Sequence, residues 1–315
     1  MTVQKLHKSF ISGHFSYILA IVLLIVFRLL EYNDLSDVQM WLATLVQIIV
    51  ALLFFPLNRV HNLIRERTVL PTFFYILLVG TNPSYFNNLT GSIAAAIVLI
   101  CWFFLLGTYQ QPHSQRQAFN ASLCISLGAF YWPPLLSLFP LFWYGMYRMR
   151  SLNVKTFFAN LLGLVLIGLC TFTWAYYSND WSVFTDRIQV FQNLSFELWI
   201  LSDYYADIRF LILMILIFLA EIYINTFNIS EKVYTKITTG YIFLFALLLT
   251  PCYFLMSQWK AEWGLIFNLP AAFLIAHYFS IVRRKWQSWL FFVVIFLLLL
   301  FFVLYFLTEI TIFPN

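Results

Sequence analysis

Apolar residues in this chain come in long blocks with no polar stripe. Eleven blocks, at roughly 15–30, 38–56, 69–86, 91–108, 118–132, 134–147, 156–176, 208–224, 239–257, 263–282 and 287–307, alternate with short polar links. A helix rises about 1.5 Å per residue and needs about 20 apolar residues to cross a bilayer. Blocks of this kind therefore predict an all-α, polytopic membrane bundle of about 11 transmembrane helices, a single domain over 1–315 with no soluble domain.

Three blocks are too short to cross. The third is apolar only from Val69 to Val79 before Gly80-Thr81-Asn82-Pro83-Ser84 interrupts it, and the fifth and sixth meet at Tyr131-Trp132-Pro133-Pro134. Proline lacks an amide hydrogen and stops a helix. The pattern predicts two helical hairpins whose tips end below one face. Irregular backbone at that depth is tolerated only in protein or beside water, so a cavity floored by these tips is expected. The link at 177–207 spaces Val183, Ile188, Phe191 and Leu194 helically, which predicts an amphipathic helix lying at the interface.

Charge supplies the orientation. With the N-terminus placed in the cytoplasm, 14 of the 18 Lys and Arg fall on inside links and ten of the 13 Asp and Glu outside, the asymmetry that orients membrane helices. The C-terminus is then periplasmic, and the expected location is a bacterial inner membrane. At 62% hydrophobic and 10% charged residues the chain cannot clothe a water-facing globule. Its excess of basic residues is spread over helix ends, as topology requires, so no nucleic-acid partner is expected. Cys101, Cys124, Cys170 and Cys252 all lie in apolar blocks, which predicts neither disulfides nor a zinc site. The first block lacks a small-residue cleavage site and should stay as an anchor.

Chemistry is sought among the outside charges. Glu31, Asp34 and Asp37 put three carboxylates at the lip of the first block, where Asp34 or Asp37 could act as a base or hold Mg or Mn between phosphates. Asp203 and Asp207, four apart, would share a helix face. Arg28, Arg187, Arg209 and Lys260 are the outside cations and the natural contacts for a phosphate. Glu221 and His277 lie within blocks, where an ionisable group marks a functional site or a satisfied core position. No phosphate-binding glycine loop, zinc-protease motif or serine triad is present.

From Pro71 to Tyr177 the order of features resembles the GT-C class of polytopic glycosyltransferases, which use polyprenyl-phosphate sugars. Asn82-Pro83-Ser84 ends one short span and Asn87-Asn88-Leu89-Thr90-Gly91 opens the next. Gln115-Arg116-Gln117 precedes the second short pair around Pro133-Pro134, and Arg148-Met149-Arg150 precedes a long span ending in Trp174-Ala175-Tyr176-Tyr177. The likeness covers about a third of the chain, within a hairpin region at 69–176. It implies a catalytic carboxylate in the first outside loop, on Glu31, Asp34 or Asp37. That loop is shorter here than in the class, lacks adjacent paired acids, and Tyr131-Trp132 stands where a basic residue is common. The chain also looks like an uncharacterised family of bacterial multi-pass membrane proteins. Asn33-Asp34-Leu35-Ser36-Asp37 is similar to the first motif of membrane prenyltransferases, without its flanking Arg and Pro.

The expectation is transfer of a sugar from a polyprenyl-phosphate donor to an envelope glycan or lipid. Asp34 or Asp37 would serve as base or metal contact, Arg187 and Arg209 would meet the donor phosphate, Arg28 in the substrate site could help orient the carboxylates, and Asp203 and Asp207 would line the substrate site. Two alternatives stay open: a non-catalytic subunit with protein partners in an envelope assembly or export complex, and a transporter. Membrane lipid is a partner under each.

Overall fold

The computed structural model describes residue 10 and residues 15–31, 37–64, 68–182, 185, 204–227, 232–281 and 285–312. Among them are eleven α-helices and three short 3-10 turns: α1 (Phe15–Glu31), α2 (Val38–His61), α3 (Leu70–Gly80), a turn at Pro83–Tyr85, α4 (Leu89–Leu106), α5 (Gln115–Tyr131), a turn at Pro133–Leu138, α6 (Phe139–Arg148), α7 (Val154–Ser178), α8 (Tyr204–Phe227), α9 (Val233–Leu255), a turn at Ser257–Trp259, α10 (Lys260–Ile281) and α11 (Lys285–Ile312). The described residues contain no strand. The protein is an all-α helical bundle, and six of its helices are long and apolar enough to cross a membrane. It is a membrane protein.

The boundaries depart from the sequence reading at prolines. α2 runs through Pro56 to His61, past the end of its block, because packed neighbours can satisfy the carbonyl that a proline leaves open, and α9 passes through Pro251 as its block does. Pro133 and Pro134 act oppositely: with no amide hydrogens they tighten six residues into a 3-10 turn and cut α6 to ten residues. α3 has Pro71 in its first turn, where no donor is needed, and ends at Gly80 after 11 residues, about 16 Å of helix.

Burial divides the helices. Every residue of α3 is buried, and 94% of the most apolar stretch of Ser257–Ile281 lies inside the bundle. α10 is therefore the central helix, packed on α3, α4, α8 and α9. It carries no polar face, and Gly264, Ala271, Ala272 and Ala276 let neighbours approach closely. Gly264 is required: a Cβ there would collide with the Tyr85 hydroxyl. α5 packs on α7 through Gly163, whose missing side chain leaves room for Ser122 and the Phe119 carbonyl. α7 is otherwise peripheral, only 17% buried along its apolar stretch, with Phe158, Leu162 and Trp174 exposed. α11 lies along the other flank, 28% buried, anchored by Phe291 against Phe74 and Phe279.

Candidate functional site

Both broken hairpins end against the N-terminal end of α10, here termed the hairpin end. At the first tip, backbone 80–89 leaves regular geometry between α3 and α4 while staying inside protein. Thr81, Asn82, Tyr85 and Phe86 are all buried. The tip partly satisfies itself: the Thr81 amide donates to the Leu77 carbonyl at 3.0 Å, the Asn82 amide to Val79 at 3.3 Å, and the Asn88 side chain caps α4 by accepting from the Gly91 amide at 2.7 Å. Carbonyls at a helix end still need donors. Side chains from distant helices supply them.

Gln47, deep in α2, donates to the Tyr85 carbonyl at 3.0 Å and to Ser92 Oγ at 2.8 Å, while its own amide oxygen accepts from the Arg28 guanidinium. Arg28 is fully buried and lies 3.8 Å over the Phe86 ring. Arg209 enters from α8, donates to the Leu78 carbonyl in the last turn of α3, and stands 5.7 Å from the Tyr85 ring. At a helix C-terminus a cation also meets the negative end of the dipole. Gln39 reaches the Asn87 carbonyl at 3.4 Å, and Glu262, half-buried in the first turn of α10, is hydrogen-bonded to Asn88. Two guanidiniums from helices far apart in sequence thus meet one proline-broken turn.

The other candidates fall out differently. Asp207 is 2% exposed and both its oxygens accept from Lys260 Nζ, at 3.1 and 2.9 Å. That pair joins α8 to α10, so neither Asp207 nor Lys260 projects a lone charge. Asp37 is the N-cap of α2, its Oδ1 accepting from the Gln39 amide at 2.9 Å. Glu31 closes α1, with its side chain outside the described residues, as are Asp34, Arg187 and Asp203. The amphipathic helix expected between 183 and 195 lies almost wholly outside them too. Among the described residues no three His, Cys, Asp or Glu side chains come together for a metal. Beyond α7, Asp180 accepts from the Ser182 hydroxyl and amide, which holds its carboxyl below the usual carboxylate value.

Glu221 and His277 are both buried in the bundle. Glu221 accepts from Asn225 Nδ2 at 2.9 Å and faces the bare backbone of Gly240, beside the Arg148 guanidinium. His277 stacks on Phe273.

A narrow cleft opens beside the first tip, with a free volume of about 10 Å³, room for one water-sized group. Asn82 and Pro83 form one wall, Tyr205 and Arg209 of α8 the second, and Phe301 and Tyr305 of α11 the third. Arg209 is 4% exposed there, and among the described residues its Nε and Nη1 have no hydrogen-bond partner. The wide cavity expected from the short hairpins takes another form. The N-terminal end of α10 stands between the tips, with Tyr85 against Gly264 on one side and Trp132 4.9 Å from Trp263 on the other.

The residues that sequence reasoning missed are Gln47, Tyr85, Phe86 and Ser92. Gln47 did carry a signal, as an amide in the middle of an apolar span. The aromatic pair did not, because nothing in its spacing marks a cation's seat. No curated protein and no solved structure matches the chain. A model of a family of unknown function, DUF6427, matches residues 5–311, nearly the whole chain, and the protein belongs to that family.

Proposed function

We propose that this protein is a bacterial inner-membrane enzyme with its N-terminus in the cytoplasm and the hairpin end facing the periplasm. There it transfers a sugar from a polyprenyl-phosphate donor to an envelope glycan or lipid, in the manner of the GT-C class. The observation that carries the reading is the convergence of Arg28 and Arg209 on one proline-broken turn at the end of the bundle where the charge bias places the outside. Positive charge fixed in a poorly hydrated site is the aid that phosphate departure needs, since the leaving oxygen gains charge as the glycosidic bond breaks. The link between α1 and α2 supplies the carboxylate: Asp37 heads α2, Glu31 ends α1, and Asp34 lies between them. It would take the proton of the acceptor hydroxyl.

The test is an envelope glycan profile of cells carrying Asp34→Asn with Asp37→Asn, beside Arg28→Gln. Loss of one product at normal protein level is the expected result. An unchanged profile, with another membrane protein retained on pull-down, replaces this reading with that of a non-catalytic subunit. The exposed face of α7 favours that second reading, since Phe158, Leu162 and Trp174 could pack on a partner helix as well as on lipid.

A further inference from the structure

The Arg209 guanidinium has five N–H donors and an invariant positive charge. One nitrogen is engaged with the Leu78 carbonyl, an interaction that any short donor at the end of α3 could make. Among the described residues Nε and Nη1 have no acceptor, on a side chain 4% exposed. The nearest acid in sequence cannot answer them, because both oxygens of Asp207 are held by Lys260. A cation buried in a membrane bundle calls for an anion, and the cleft walled by Asn82, Pro83, Tyr205, Phe301 and Tyr305 is where one can reach it.

The third wall says where that anion comes from. α11 is only 28% buried, and beside Phe301 and Tyr305 it exposes Phe296, Leu300, Val303 and Leu304. A tyrosine pair, Tyr205 and Tyr305 at 6.4 Å between ring centres, marks the level at which aromatic residues meet lipid head groups. A head group set against Arg209 would leave its hydrocarbon chain along that apolar strip. We propose that the cleft admits one phosphate oxygen of a membrane lipid, whose head group approaches sideways between α8 and α11 and is held at the mouth by Arg209. The site is that of the function proposed above and takes its outward placement from that reading. The binding itself needs no sugar and no reaction.

The probe is fluorescent phosphatidic acid in nanodiscs of phosphatidylcholine, measured against full-length protein. The wild-type protein should bind it, Arg209→Gln should bind about tenfold or more weakly, and Arg209→Lys should keep part of the affinity. Ala206→Phe, which narrows the cleft and leaves the charge in place, should also lose binding, so a misfolded Arg209 variant does not decide the matter. Equal binding by all four proteins overturns the proposal. So does inorganic phosphate that binds as well as the lipid, since the site would then be one for free phosphate. Lipid binding that needs Arg209, in a protein that transfers no sugar, sustains this inference and sinks the enzymatic reading. Sugar transfer with an unaltered donor KM in Arg209→Gln does the reverse.

Discussion

Pro83 and Pro133 each follow a helix that stops short and each open a 3-10 turn at the same end of the bundle, yet the two turns are filled with opposite materials. Around Pro83 stand two buried guanidiniums, the amides of Gln39 and Gln47, and the cap of Asn88. Around Pro133 stand Trp132, Trp259 and Trp263, with ring centres 4.9 and 6.3 Å from Trp132. The second turn is a dry aromatic plug that wedges α5 and α6 against α10. At the first, burying polar groups costs desolvation, which contacts from other helices offset: Arg28 donates to Gln47, Gln47 to the Tyr85 carbonyl and Arg209 to the Leu78 carbonyl. Breaking a helix inside a membrane requires neither solution in particular. The choice of arginine at one tip and tryptophan at the other separates the proposed anion site from a place for packing.

That contrast can be broken or sharpened by substitution. The largest effect is expected at the plug: Trp263→Ala, on a fully buried side chain, should cost about 3–5 kcal/mol of stability, read from unfolding in mixed micelles, while sparing phosphatidic acid binding. Lys260→Met leaves Asp207 charged and unpaired at 2% exposure and should cost about 3 kcal/mol by the same measure, near the lower bound because Lys260 is itself partly exposed. Gln47→Leu should cost about 1–3 kcal/mol, since it removes the acceptor of an Arg28 N–H and the donors to the Tyr85 carbonyl and Ser92 inside the bundle. Unlike the tryptophan change, it should also weaken lipid binding. Asn88→Ala removes the cap of α4 for about 1 kcal/mol, seen as faster hydrogen exchange at the Gly91 amide.

The smallest effect lies beyond both tips. The carboxyl of Asp180 is held low by the Ser182 hydroxyl and amide, so its turn is intact above the ordinary carboxylate value and is lost as pH falls through the depressed one. Exchange of the Ser182 amide against pH follows this, and no change in either tip should accompany it.

The eleven helices lie where the apolar blocks are, because length and polarity alone decide what can cross a bilayer. Gly80 and Tyr131 ended their helices as read, since glycine and proline act locally. What spacing could not convey is partnership over distance. The Leu78 carbonyl meets Arg209 across 131 positions, and Gln47 meets Tyr85 across 38. Neither pair has a local pattern that announces it. The carboxylates attracted attention as acids, yet Asp37 serves as a cap and Asp207 as half of an ion pair, roles that depend on Gln39 and Lys260 being at hand. Arg28 and Arg209 were visible as rare cations on a surface of acids. That they share a turn required the fold.

The enclosure of α10 bears on how the molecule is made. A helix ringed by α3, α4, α8 and α9 leaves, before it is synthesised, a vacancy lined by side chains whose partners have not yet emerged. Lipid tails or loosely collapsed neighbours must occupy that vacancy while the earlier helices wait for α10. A ribosome halted after Leu255 should therefore yield spans that are inserted but not consolidated, and the bundle acquires its final rigidity late, when Lys260–Ile281 slides into its berth.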